Sequence, residues 1–147
     1  MKKLLKSKYF LIASIATYGI SLSLPLYIEF NENSDQLFEL TEMYGIQVLL
    51  LGWMIFPVLD FFCWLANFTL LISWIFYRKR FAIYLVSIGA VLALLFGVDH
   101  VAELNLMEIA EYRYYLFGYW FWLIAMLLQI VATSLFQKEK NILSNKE

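Results

Sequence analysis

Three polar residues, Asp60, Asn67 and Gln129, stand inside otherwise apolar stretches of this chain, and Asp99, His100 and Glu103 lie just beyond another. A carboxylate or amide surrounded by hydrocarbon is costly unless it is paired, wetted or put to use, so these positions are where function is first sought. Asp60, Asn67 and Gln129 could line a water-accessible path for a proton, a cation or a small solute. His100 and Glu103, three apart, can share a helix face with Asp99 beside them. A metal ion needs three or four ligands in set geometry, and with one histidine in the chain a site would have to recruit carboxylates such as Glu108 or Glu111. His100 could also sense pH. The plainer roles weigh more: a solvated first-turn acid for Asp60, inter-helix hydrogen bonds for Asn67 and Gln129, and a solvated imidazole for His100. No metal and no cofactor are expected.

No HExxH, GxSxG or phosphate-binding glycine loop occurs, and sequence order suggests no Ser/His/Asp or Cys/His set. We therefore expect no enzyme. The single cysteine, Cys63, allows no disulfide within the chain.

The elements that must position these residues are written in the charge pattern. Ten of eleven Lys and Arg fall in three clusters: Lys2, Lys3, Lys6 and Lys8; Arg78, Lys79 and Arg80; Lys138, Lys140 and Lys146. Nine of twelve Asp and Glu fall in two: Glu29, Glu32, Asp35, Glu39 and Glu42; then Asp99, Glu103, Glu108 and Glu111. Long apolar runs separate the clusters, and 63% of the 147 residues are hydrophobic against 16% charged. A soluble domain of this size could not cover that much apolar surface; a bilayer can. Basic residues at the ends of apolar runs also argue against a nucleic-acid partner.

The fold expected is a single all-α membrane domain over 1–147 with four transmembrane helices, approximately 9–28, 57–77, 81–98 and 114–136. Basic loops mark the cytoplasmic side, giving an N-in, C-in topology. The first run resembles a signal peptide, with Ser21-Leu22-Ser23 as a cleavage site, but its apolar part continues to Ile28 and reads as an uncleaved helix.

Residues 44–77 are too long for one crossing, extending ~51 Å as a helix. Pro57 is the natural break. An extracytoplasmic interfacial amphipathic helix is therefore expected over approximately 35–55, between the first two crossings. Ser34 would cap it, and Leu37, Leu40, Tyr44, Val48 and Leu51 would form its apolar row. Residues 44–56 could instead be re-entrant, or part of one helix kinked at Pro57. Asp60 lies ~27 Å from Arg78 along a helix, near the outer interface, whereas Asn67 falls near the midplane. Asp60, Trp64, Asn67, Leu71 and Trp74 make one stripe. Tyr112, Tyr114, Tyr115, Tyr119, Trp120 and Trp122 read as an outer aromatic belt, and Trp74, Phe76 and Tyr77 as an inner one.

Small residues recur every fourth position: Ala13, Thr17 and Ser21; Gly89, Ala93 and Gly97; Ala125 and Thr133 around Gln129. Such stripes let helices approach closely, within the bundle or, through Gly89, Ala93 and Gly97, between copies of the chain.

Two stretches carry a resemblance. Trp64-Leu65-Ala66-Asn67-Phe68-Thr69-Leu70-Leu71 resembles a WLANPLL-type segment, with Phe68 where Pro is expected. Gly118-Tyr119-Trp120-Phe121-Trp122-Leu123 resembles a GYYLWL-type opening of a last helix. Both are similar to segments of small four-helix integral membrane proteins of bacteria. The resemblance implies that fold and a bacterial inner membrane, and it supplies no catalytic residues. The function expected is a non-enzymatic, multi-pass membrane protein acting through a protein partner, as a toxin-immunity protein or a membrane-complex subunit, or as a homo-oligomer. A small oligomeric transporter or channel subunit and a metal-dependent membrane enzyme are the alternatives.

Overall fold

A computed structural model describes residues 4–31, 39–55, 59–98 and 112–144. Its elements in chain order are α1 (Leu4–Ser23), β1 (Pro25–Asn31), β2 (Glu39–Tyr44), α2 (Gly45–Leu51) with a following 3-10 turn (Gly52–Ile55), α3 (Leu59–Ile75), α4 (Phe81–Val98), β3 (Tyr112–Tyr115) and α5 (Phe117–Ser144). The chain is mostly helical, as the sequence suggests. The departure is a three-stranded antiparallel sheet in the order β2-β1-β3.

The sheet corrects two expected boundaries. Residues 25–28 belong to β1 rather than to the first helix, and the cause is Pro25. Its ring disfavours helical geometry at Leu24, so α1 closes at Ser23. The surface helix expected over 35–55 is also divided. Leu40 and Tyr44 lie in β2, while Val48 and Leu51 lie in α2. Leu37 falls outside the described residues. Hairpin pairing satisfies the backbone of 39–44 without a helix: Phe30 stands opposite Leu40, Glu29 opposite Thr41, and Ile28 opposite Glu42. On its other edge β1 sets Glu29 opposite Arg113 and Tyr27 opposite Tyr115. A register shift between Pro25 and Tyr27 marks a bulge, and there Leu26 and Tyr27 are both buried, against the usual alternation.

α4 coincides with the expected segment 81–98, and α3 covers most of 57–77. α5 starts at Phe117, because Tyr114 is committed to β3, and runs beyond 136 to Ser144.

α1 packs most closely on α5, α3 on α4, and α4 also on α5. The α1–α5 pair is antiparallel and built from small residues. Ser7, Ser14 and Ser21 on α1, and Gly118, Ala125 and Ala132 on α5, are all buried. Each row repeats every seven residues, the spacing that keeps one seam facing a partner helix. The Ser14 hydroxyl donates to the Ala125 carbonyl at 2.7 Å and fixes the register. Toward the two ends of the pair, the Ser7 hydroxyl donates to Glu139 Oε2 at 3.3 Å, and Gly118 lies against the backbone carbonyls of Leu24 and Pro25. In the α3–α4 pair a Cβ on Gly89 would collide with Thr69 Oγ1.

The interior carries polar groups, and large apolar side chains stand on the exterior of the helices. Ser7, Ser14, Ser21, Asn67, Ser73, Gln129 and Thr133 are buried. Ile12, Ile15, Phe62, Ile72, Ile75, Tyr84, Ile88, Val91, Leu94, Trp120, Ile124 and Leu127 are exposed. Among the described residues one helical stretch, Phe117–Ile142, is both long and apolar enough to cross a membrane, with a mean hydropathy of 1.7. By that measure one helix qualifies where four crossings were expected. Phe61–Ile75, Phe81–Gly97 and Gly45–Met54 are apolar but shorter.

Candidate functional site

The stripe on α3 organises the interior. Trp64, Asn67 and Trp74 each use their polar atoms. Asn67 Nδ2 donates back to the Trp64 carbonyl at 3.1 Å, and Asn67 Oδ1 accepts the Tyr18 hydroxyl at 2.9 Å. Trp74 Nε1 donates to Ser14 Oγ at 3.0 Å, while its ring meets Tyr18 edge-on with centroids 5.4 Å apart. Because Ser14 also donates to Ala125, one short relay ties α3, α1 and α5 together. Trp64 Nε1 donates to the Leu49 carbonyl at 3.0 Å and holds α2 down on α3. Apart from the Asn67–Trp64 bond within α3, these are bonds between elements, which low-dielectric surroundings strengthen and which fix packing.

Further along, Gln129 is fully buried and its Nε2 donates to the Ser73 carbonyl at 3.0 Å, joining α5 to α3. Its Oε1 has no donor among the described residues. The Ser73 hydroxyl is turned back on the Leu70 carbonyl at 2.7 Å, and Thr133 on the Gln129 carbonyl at 2.9 Å.

Gly89, Ala93 and Gly97 are used within the chain. Gly89 and Ala93 are buried. Tyr119 OH donates to the Ala93 carbonyl at 3.0 Å, and a Cβ on Gly97 would collide with that same hydroxyl. This stripe is covered by α3 and α5, so it is not an open face for a second copy. Tyr115 OH donates to the Phe96 carbonyl, which lies in the last turn of α4.

The aromatic belts are also revised. Tyr119 and Trp122 are buried, Tyr115 is half-buried, and of the described side chains in that outer group Trp120 is the exposed one. Trp74, expected at the inner headgroups, is a half-buried member of the relay. The rings instead gather around Phe96, with centroids 5.8 Å to Tyr27, 5.6 Å to Tyr115, and 6.4 Å to both Tyr119 and Trp122. Such edge and tilted contacts are favourable aromatic geometry.

These rings do not fill the space. A cavity of about 20 Å³ lies under the sheet and α2, lined by Leu26, Tyr27, Val48, Gly52, Cys63, Trp64, Asn67, Phe96 and Trp122. Trp122 is 5% exposed, and its indole N–H has no acceptor among the described residues. This chamber is the candidate site. Sequence reading reaches Asn67 and Trp64 in it but not Trp122, Cys63 or Tyr27. The seven-residue spacing of Trp122 from Gln129 is a readable clue that both look inward.

Asp60 is in the first turn of α3, as expected, but its side chain is outside the described residues. Asp99, His100, Glu103, Glu108 and Glu111 lie outside them altogether. Among the described residues no group of three or more His, Cys, Asp and Glu could hold a metal ion. No family model matches the chain, and no curated protein or solved structure matches it either.

Proposed function

We propose that the chain is a multi-pass protein of a bacterial inner membrane, with α1, α3, α4 and α5 as its four crossings and both termini in the cytoplasm. The observation that carries this is the exposure of large apolar side chains on all four helices, Ile12 and Ile15 on α1, Phe62 and Ile72 on α3, Ile88 and Leu94 on α4, Ile124 and Leu127 on α5, while serine, threonine and amides are among the buried residues. A helix with its apolar face turned outward needs an apolar solvent. α3 and α4, at 17 and 18 residues, reach ~26–27 Å, short of an average ~30 Å core but within what local thinning tolerates. Arg78, Lys79 and Arg80 then lie at the inner surface, and the sheet lies at the outer one.

On this reading the protein works by binding another protein rather than by catalysis. Several interior polar side chains, Tyr18, Ser14, Trp74 and Gln129 among them, join one element to another, which suits a scaffold. The sheet holds Glu29, Glu39 and Glu42, and Glu42 is exposed. A basic partner face, on an incoming toxin or on a neighbouring subunit, would complement it. In a pull-down from solubilised membranes, the E39K/E42K variant should lose its partner while inserting normally. A variant that inserts and keeps the partner overturns the interaction reading. Reporter fusions after Arg80 and after Ser144 should both register cytoplasmic; either one reporting outside overturns the topology.

The transporter alternative needs Asn67 and Gln129 on a wet path. Reaction of the N67C variant, in a C63S background, with a water-soluble thiol reagent would favour it.

A further inference from the structure

We propose that the chamber beneath the sheet is a binding site for one small uncharged hydrogen-bond acceptor, and that its resident ligand is a water molecule held by Trp122 and Asn67. Two independent observations meet there. The first is space: about 20 Å³ exceeds the ~10–15 Å³ that a single water requires. The second is an unanswered donor: Trp122 lines the chamber, is 5% exposed, and its Nε1–H has no acceptor among the described residues. Indole is a donor only, so the occupant must offer a lone pair.

Asn67 supplies the second anchor. Its amide has two N–H donors and two acceptor positions, of which Trp64 O takes one donor and Tyr18 OH fills one acceptor. One of each remains. A water that accepts from Trp122 and donates to Asn67 reaches the minimum of two partners that a buried water needs. The rest of the lining selects against other ligands. No lining residue carries a formal charge, so an ion would enter uncompensated. Leu26, Val48 and Phe96 alone would leave the space dry. On one wall, Gly52 abuts the Trp64 indole, which is tied to the Leu49 carbonyl. The water site does not depend on the membrane or partner readings.

The test is NMR on the whole protein in perdeuterated detergent, with its five tryptophans labelled at the indole nitrogen. W122F identifies one resonance by its loss. In the unmodified protein that indole proton should show a cross-peak to water and a hydrogen-bonded shift. A cross-peak to lipid protons instead, or an unbonded shift with no water cross-peak, overturns the proposal. C63V adds volume to the chamber wall and should remove the water cross-peak while the other four indole signals stay in place. Persistence of the cross-peak in C63V, with those four signals unmoved, would overturn the location.

Discussion

The α1–α5 seam and the chamber beneath the sheet solve opposite packing problems with opposite side chains. In the seam, serine, glycine and alanine let two helix backbones approach until the Ser14 hydroxyl reaches the Ala125 carbonyl. Ser14 is used twice, as donor to Ala125 and acceptor from Trp74. In the chamber, large rings meet at centroid distances of 5.8 Å (Tyr27 and Phe96) and 6.4 Å (Phe96 and Trp122) and do not tile the space, leaving a void and an indole with no acceptor among the described residues. Where hydrophobic exclusion cannot drive helices together, small residues give closeness and hydrogen bonds give register. Aromatic rings give area at the expense of fit. The seam should therefore tolerate change poorly and the chamber better.

S14L should produce the largest effect. It adds volume where backbones nearly touch and removes both Ser14 bonds, for a loss of about 3 kcal/mol or more, read as the unfolding midpoint in micelles. S14L within about 1 kcal/mol of the parent would break the contrast. G89V should cost about 2 kcal/mol, because its side chain must displace Thr69 at the α3–α4 contact. N67L strands the Tyr18 hydroxyl and should cost about 1–2 kcal/mol. Y18F on top of N67L should then add little, and additive losses would show that the two residues act separately. Q129M should lie within about 0.5 kcal/mol of the parent. It loses the bond to Ser73 but also removes a buried oxygen with no donor among the described residues. A clear loss in Q129M would show that Oε1 is satisfied after all.

How much of this is legible follows from signal length. Helices of 17 to 20 residues and the charges bounding them are strong patterns, and the sequence marks both ends of α4. A strand of four to seven residues abutting an apolar run is absorbed into that run, which is why β1 and β3 read as helix ends. Pro25 is the available mark, and it outranks the apolar continuation to Ile28. The Ser7, Ser14 and Ser21 row escapes a search for four-residue spacing because the seam repeats every seven. Residue type sends Trp122 to the headgroups, yet its place on the inward face of α5 overrides that preference. The chamber is beyond reach of sequence, since a void is set by how several separate elements meet.

The sheet also dictates an order of construction. β1 directly follows the first helix, but its second neighbour, β3, and the main partner of α1, α5, come after α4 in the chain. Until α5 arrives, the buried serine row of α1 has no counterpart and one edge of β1 stays unpaired. The first helix is thus completed only after β3 and α5 are in place. A chain stopped before β3 leaves one edge of β1 and the seam face of α1 uncovered.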